Sequence, residues 1–169
     1  MQVYDNFLSS VVAHEAYEFV LKSYYKIGWE DSLEPEQRVF PNLHSIFSKE
    51  DVEKLNILGP VNKKIKDQNL IYEKCIVNLT KPLDVNFVHV HPNQVVALYY
   101  ANMNWKTEDG GETIFYKDNR KDILLASPYV PNRLIIFDGS TPHTITSQSI
   151  LGPTYRFTIS LFFNKGKKR

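Results

Sequence analysis

The chain has 169 residues, enough for one domain with a real core and short for two. A 43% hydrophobic and 13% aromatic content excludes a disordered chain, and a formal net charge of +1 excludes a general electrostatic pull toward nucleic acid or membrane. Cys75 is the single cysteine, so an internal disulfide and a cysteine-rich zinc site are both excluded.

In chain order, Met1 to Phe7 lacks the basic start and apolar run of a signal peptide, and no stretch approaches a membrane span in length. A soluble, cytoplasmic protein is therefore expected. Ser9 and Ser10 are candidate N-caps for a helix to about Lys26, with Val12, Tyr17, Phe19, Val20 and Tyr24 as apolar bulk and Gly28 as its stop. The acidic segment Trp29 to Pro41 predicts a surface connection. Ser48-Lys49-Glu50-Asp51 predicts the start of a second helix, running to about Leu58 before Gly59-Pro60.

From about Ile71 the pattern changes to short strand-like runs separated by Pro, Gly, Asn and Asp. These are Tyr72–Leu79, Phe87–Val90, Val95–Asn102, Glu112–Tyr116, Ile123–Ser127, Arg133–Phe137, His143–Thr146 and Arg156–Phe163. Pro128, Pro131, Pro142 and Pro153 fall at strand ends or turns, where proline does least damage to a hydrogen-bonded ladder. The expectation is one domain with a helical part over about 1–70 and a sandwich or barrel over about 71–164. The basic tail from Lys165 to Arg169 reads as a solvated terminus.

Several residues carry chemistry. Alternate side chains of a strand share a face, so His89 and His91 can converge on one ion, and His143 can close the site from another strand. Three neutral imidazoles hold a transition metal and leave coordination positions open. A packed or hydrogen-bonded histidine pair is the plain alternative, as a hairpin turn is for Gly110-Gly111. Arg156 sits inside a hydrophobic strand, where a buried guanidinium is costly unless an anion pairs with it. That anion is either one of the chain's 19 acids or a carboxylate-bearing ligand held by the guanidinium fork.

The order of these pieces carries a resemblance. Val88 to Phe163 resembles the core of the Fe(II)/2-oxoglutarate-dependent dioxygenases, in particular the compact prolyl 4-hydroxylase-like group. The most specific segments are Tyr99-Tyr100-Ala101-Asn102-Met103-Asn104-Trp105 leading into Gly110-Gly111-Glu112-Thr113-Ile114-Phe115, then Pro131-Asn132-Arg133-Leu134-Ile135-Ile136-Phe137, then the arginine strand. The resemblance implies a mainly β fold with N-terminal helices, built as a double-stranded β-helix (jelly roll) around iron. His89 matches the first histidine of the family's His-x-Asp/Glu pair and His143 the distal histidine. Arg156 matches the basic residue for the far carboxylate of 2-oxoglutarate, and Tyr100 a tyrosine that helps hold it. The interval between His143 and Arg156 is slightly long for the group, and Ile150-Leu151-Gly152-Pro153 reads as the turn that absorbs it. The implied cofactors are Fe(II) and 2-oxoglutarate, with ascorbate as an optional reductant. The implied partners are O2 and a peptidyl, prolyl-like or small-molecule substrate, gripped by loops at about Asn78–Asn86 and Trp29–Pro41; no nucleic acid or membrane partner is expected.

The chain departs from the family at one position, where His91 replaces the ligating Asp or Glu and leaves the site one negative charge short. Three arrangements stay open. His91 ligates, as in the all-histidine triads of some thiol dioxygenases; His89 and His143 hold the metal with chloride or water, as in related halogenases; or Asp84 or Asn93 fills in. Asp138 belongs most simply to the Asp138-Gly139 turn. Phe87, Tyr99, Phe115 and Phe162 read equally as pocket wall and as core. A three-histidine cupin-like dioxygenase that does not use 2-oxoglutarate and a non-catalytic jelly-roll binding module are the alternative functions.

Overall fold

The structure is a computed structural model in which residues 1–28, 42–65 and 69–166 are described. The expected surface connection at 29–41 and the end of the basic tail lie outside them. In chain order the elements are β1 (Gln2–Tyr4), α1 (Ser10–Leu21), β2 (Lys26–Ile27), β3 (Leu43–Phe47), α2 (Lys49–Lys54), α3 (Leu58–Lys64), β4 (Leu70–Thr80), β5 (Gln94–Tyr100), β6 (Thr113–Tyr116), β7 (Ile123–Ser127), β8 (Leu134–Asp138), β9 (His143–Ile145) and β10 (Arg156–Lys165).

The strands form two antiparallel sheets, one of seven in the order β1-β8-β5-β10-β4-β3-β2 and one of three in the order β7-β6-β9. The long strands of the large sheet are buried on both faces, which explains why β10 reads as a nearly unbroken apolar run. Phe157, Ile159, Leu161 and Phe163 of β10 join Cys75, Val77 and Leu79 of β4 on one face, against Ala13, Ala16 and Val20 of α1. On the opposite face, Ile76, Val96, Leu98, Ile135, Phe137 and Phe162 meet Phe115 of the small sheet. The period-two pattern thus builds two cores, one under the helices and one between the sheets. Each fully buried Leu, Ile or Phe contributes about 1.5–3 kcal/mol, so neither face of the large sheet can be left bare.

The helices differ from expectation for local reasons. α1 starts where Ser9 caps it but stops at Leu21, five positions before Lys26. The Ser23 hydroxyl donates to Phe19 O at 2.8 Å and the Tyr25 hydroxyl to Val20 O at 2.6 Å, satisfying the last carbonyls and releasing the chain into β2. Ser48 and Asp51 form the expected capping box of α2. Gly59-Pro60 does not end a helix; it lies in the first turn of α3, where amides have no intrahelical acceptor and proline is tolerated. The strand expected at Phe87–Val90 is reduced to a single bridge, His89 to His143, at the edge of the small sheet. β1, β2 and β3 were not expected; they are short, and pairing of β1 with β8, β3 with β4 and β2 with β3 supplies what their sequences lack. Among the described residues no helix is long and apolar enough to cross a membrane.

Candidate metal centre and anion pocket

His89, His91 and His143 meet at the open end of the space between the sheets. One ring nitrogen from each lies within 4.8 Å of the others. His143 opens β9, and the paired backbone bonds between His89 and His143, both 3.0 Å, bring the two rings to 4.4 Å between centroids. His91 is held by its amide, which donates to Gly139 O at 2.7 Å. Gly139 is forced here: a Cβ would lie 2.3 Å from His91 O, so the Asp138-Gly139 turn gives the histidine backbone its room.

The donor set fits a metal. The Nδ1 atoms of His89 and His143 lie 3.0 and 2.8 Å from the carbonyls of Phe87 and Thr141, which can only accept. Each Nδ1 therefore carries the proton, and each Nε2 keeps its lone pair. Burial, with the neighbouring imidazoles, pushes His143 down to about 3 and His91 to about 2, so both stay neutral at physiological pH. Phe162 and Phe137 pack at 5.0 and 4.8 Å against His91 and His143 and keep the rings in place. Asp84, a candidate substitute ligand, is instead engaged by the amide and ammonium of Lys81 at 2.8 and 3.1 Å. Asn93 sits in a left-handed turn conformation, with its carbonyl accepting from Lys165 N. Asp138 stays in its turn, accepting from Ser140 N and paired with Lys165.

The three histidines and Arg156 line one pocket, enclosing about 670 Å³ with its open mouth. Its polar wall includes Asn78 and Thr80 of β4, Thr113 of β6, and Thr158 and Ser160 of β10, beside apolar residues such as Val96 and Leu98 of β5. Arg156 is 1% exposed, yet no carboxylate lies within ion-pair distance among the described residues. Its Nε donates to Gly111 O at 3.0 Å and its Nη2 reaches Thr113 Oγ1 at 3.4 Å. Burial lowers its pKa from the usual arginine value, but arginine starts so high that it remains a cation. A buried cation lining a mainly apolar pocket, with no ion-paired carboxylate among the described residues, fits a carboxylate-bearing ligand.

Tyr100 takes a different place from the one expected. It is fully buried behind the wall and donates to Thr113 Oγ1 at 2.7 Å, so it reaches the pocket through that hydroxyl. Phe87 lines the mouth, while Phe115 and Phe162 belong to the core between the sheets and Tyr99 to the core under the helices. Thr113, Thr158 and Ser160 were not singled out by sequence. Their signal is the alternation Arg156-Phe157-Thr158-Ile159-Ser160-Leu161, which puts small polar groups on the inner face of a strand buried on both sides.

The fold is similar to those of solved prolyl hydroxylases and other 2-oxoglutarate–Fe(II) oxygenases. The chain is similar over 97% of its length to 83% of a prolyl hydroxylase from Trichoplax adhaerens in complex with a hypoxia inducible factor peptide fragment, with TM-score 0.73 and 19% identity. A Pseudomonas putida prolyl-4-hydroxylase matches over 96% of this chain and 91% of its own, with TM-score 0.67 and 14% identity. HygX from Streptomyces hygroscopicus, solved with nickel and 2-oxoglutarate bound, matches over 99% and 84%, with TM-score 0.71 and 10% identity. No family model and no curated protein matches the sequence.

Proposed function

We propose that this chain is a single-domain, jelly-roll Fe(II)- and 2-oxoglutarate-dependent dioxygenase that hydroxylates a C–H bond of a peptidyl, prolyl-like or small-molecule substrate in the cytoplasm. One observation carries the reading: three converging histidines and a buried arginine without an acid partner line the same pocket. His89, His91 and His143 would hold the iron, and Arg156 would hold the far carboxylate of the oxo acid, with Tyr100 acting through Thr113. Bound together, Fe(II) and 2-oxoglutarate would supply the O2 activation: decarboxylation of the oxo acid to succinate and CO2 gives two of the four electrons that O2 takes up, and the substrate C–H bond gives the other two.

The chain's own residues prepare that site. The carbonyls of Phe87 and Thr141 fix two histidine tautomers so that Nε2 faces inward. Burial keeps His91 and His143 unprotonated and available as ligands. Arg156 gives the pocket one cationic end, so an oxo acid with two carboxylates enters in one orientation. The phenylalanines pack on the His91 and His143 rings and hold them in orientation.

Anaerobic titration with Fe(II), with and without 2-oxoglutarate, tests the reading. A visible charge-transfer band requiring both, and lost in His143→Ala, is the expected result. Because the donor set holds no carboxylate, a three-histidine cupin-like dioxygenase is the second reading. Fe(II) binding without an oxo-acid-dependent band would favour it, and no metal binding would favour a binding module.

A further inference from the structure

Arg156 keeps its charge although, among the described residues, no carboxylate forms an ion pair with it and Glu112 acts on it only at longer range; the groups that make this tolerable lie behind the pocket wall. Tyr129 is 4% exposed and sits in the loop between β7 and β8. Its ring stacks on Tyr100 at 4.4 Å with 10° between planes, and Trp105 packs on it at 4.5 Å. The guanidinium carbon of Arg156 lies 4.7 Å from the Tyr129 ring centre and 5.5 Å from that of Tyr100. Arginine and the two tyrosines thus form a compact triangle, and the negative ring faces offset a cation that no carboxylate neutralises. Unlike a carboxylate, a ring does not occupy the guanidinium's hydrogen-bonding edge. With Nε on Gly111 O and Nη2 reaching Thr113 Oγ1, the Nη1 side of the guanidinium is left for an incoming anion.

The polar end of Tyr129 does a second job. β5 ends at Tyr100, where its ladder to β10 stops at Thr158; beyond the bond from Ala101 N to Phe157 O at 3.1 Å, the peptides around Arg156 have no strand partner on the β5 side, while β4 pairs their other edge. The Asn102 side chain continues the ladder: Oδ1 accepts from Phe157 N at 2.8 Å and Nδ2 donates to Tyr155 O at 2.8 Å. The Tyr129 hydroxyl accepts from Asn102 N at 3.0 Å, and its proton lies between Phe157 O at 2.6 Å and Asn102 Oδ1 at 2.7 Å. The residues on both sides of Arg156 are therefore fixed by Asn102 and Tyr129, neither of which lines the pocket.

We propose that Tyr129 and Asn102 are positioning residues for Arg156, presenting an uncompensated guanidinium that selects oxo acids bearing a second carboxylate. The proposal rests on the oxo-acid reading above. Its test is calorimetric binding to the Ni(II)-loaded protein of 2-oxoglutarate and of pyruvate, which has the oxo-acid end but no second carboxylate. In Tyr129→Leu and Asn102→Ala the dissociation constant for 2-oxoglutarate should rise about tenfold, while that for pyruvate and the Ni(II) affinity stay within about twofold. Tyr129→Phe keeps the ring, loses the hydroxyl, and carries the test if Tyr129→Leu does not fold; a selective rise of about threefold is expected. Equal weakening of both oxo acids would mark a purely structural role and overturn the proposal, as would wild-type selectivity surviving in all the variants. A wild-type protein that does not distinguish the two oxo acids would overturn the oxo-acid reading itself, and the proposal with it.

Discussion

Arg156 shows how much one residue can reveal from sequence and where such reading stops. A guanidinium among Tyr155, Phe157 and Ile159 has to meet an anion or an acid, and among the described residues no carboxylate comes within ion-pair distance, Glu112 acting only at longer range. Arg156→Met should raise the dissociation constant for 2-oxoglutarate about a hundredfold and leave Ni(II) affinity within about twofold. Equal loss of both would show that the arginine only supports the fold. His91 poses the complementary question, since its ring joins the cluster without carrying the family's charge. If it ligates, His91→Asp should keep or raise metal affinity and His91→Ala should lower it about tenfold or more, measured by Ni(II) titration. Unchanged affinity in both variants would remove it from the ligand set. Tyr100 was legible as a residue but not as a geometry, because a sequence does not say that Thr113 stands between it and the pocket.

At the scale of elements, the positions of the strands were legible and the reasons for their ends were not. β7 falls on Ile123–Ser127 as expected, because a short apolar run bounded by turn signals needs no distant partner to be recognised. β1, β2 and β3 escaped notice because their order comes from neighbouring strands. The turn after β8 combines both lessons. Asp138-Gly139 reads as a turn, yet the demand on glycine comes from His91, whose carbonyl would lie 2.3 Å from an added Cβ. Gly139→Ala should displace the His91 backbone, lowering the melting temperature by about 3–10 °C and weakening Ni(II) binding, both measurable on purified protein. A variant with wild-type metal affinity would show that the turn and the histidine are not coupled.

For the whole molecule, the cost of burying the histidine cluster should be visible as acid sensitivity. His91 and His143 titrate near 6.5 when unfolded but at about 2 and about 3 when folded, because burial and neighbouring imidazoles disfavour the charged ring. Between those limits the unfolded chain binds more protons, so stability falls as pH drops from about 6.5 toward 3. Each unit of pH in that window removes up to about 1.4 kcal/mol per histidine. The melting temperature of the metal-free protein should therefore fall steadily between pH 7 and pH 4, with a shallower slope in His143→Gln. An equal slope in that variant would assign the acid sensitivity elsewhere.

Composition and periodicity by themselves determined that this chain is mainly β, because apolar runs and turn residues act over a few neighbouring positions. They also marked His89, His91, His143 and Arg156, since those residue types are conspicuous in strands that otherwise exclude them. Tertiary structure alone decided that the histidines and the arginine share one pocket, that Tyr100 lies behind Thr113, and that Tyr129 and Asn102 hold Arg156 from behind. Those relations join residues on different strands and loops, and the distances between them arise only when the two sheets close around a common core.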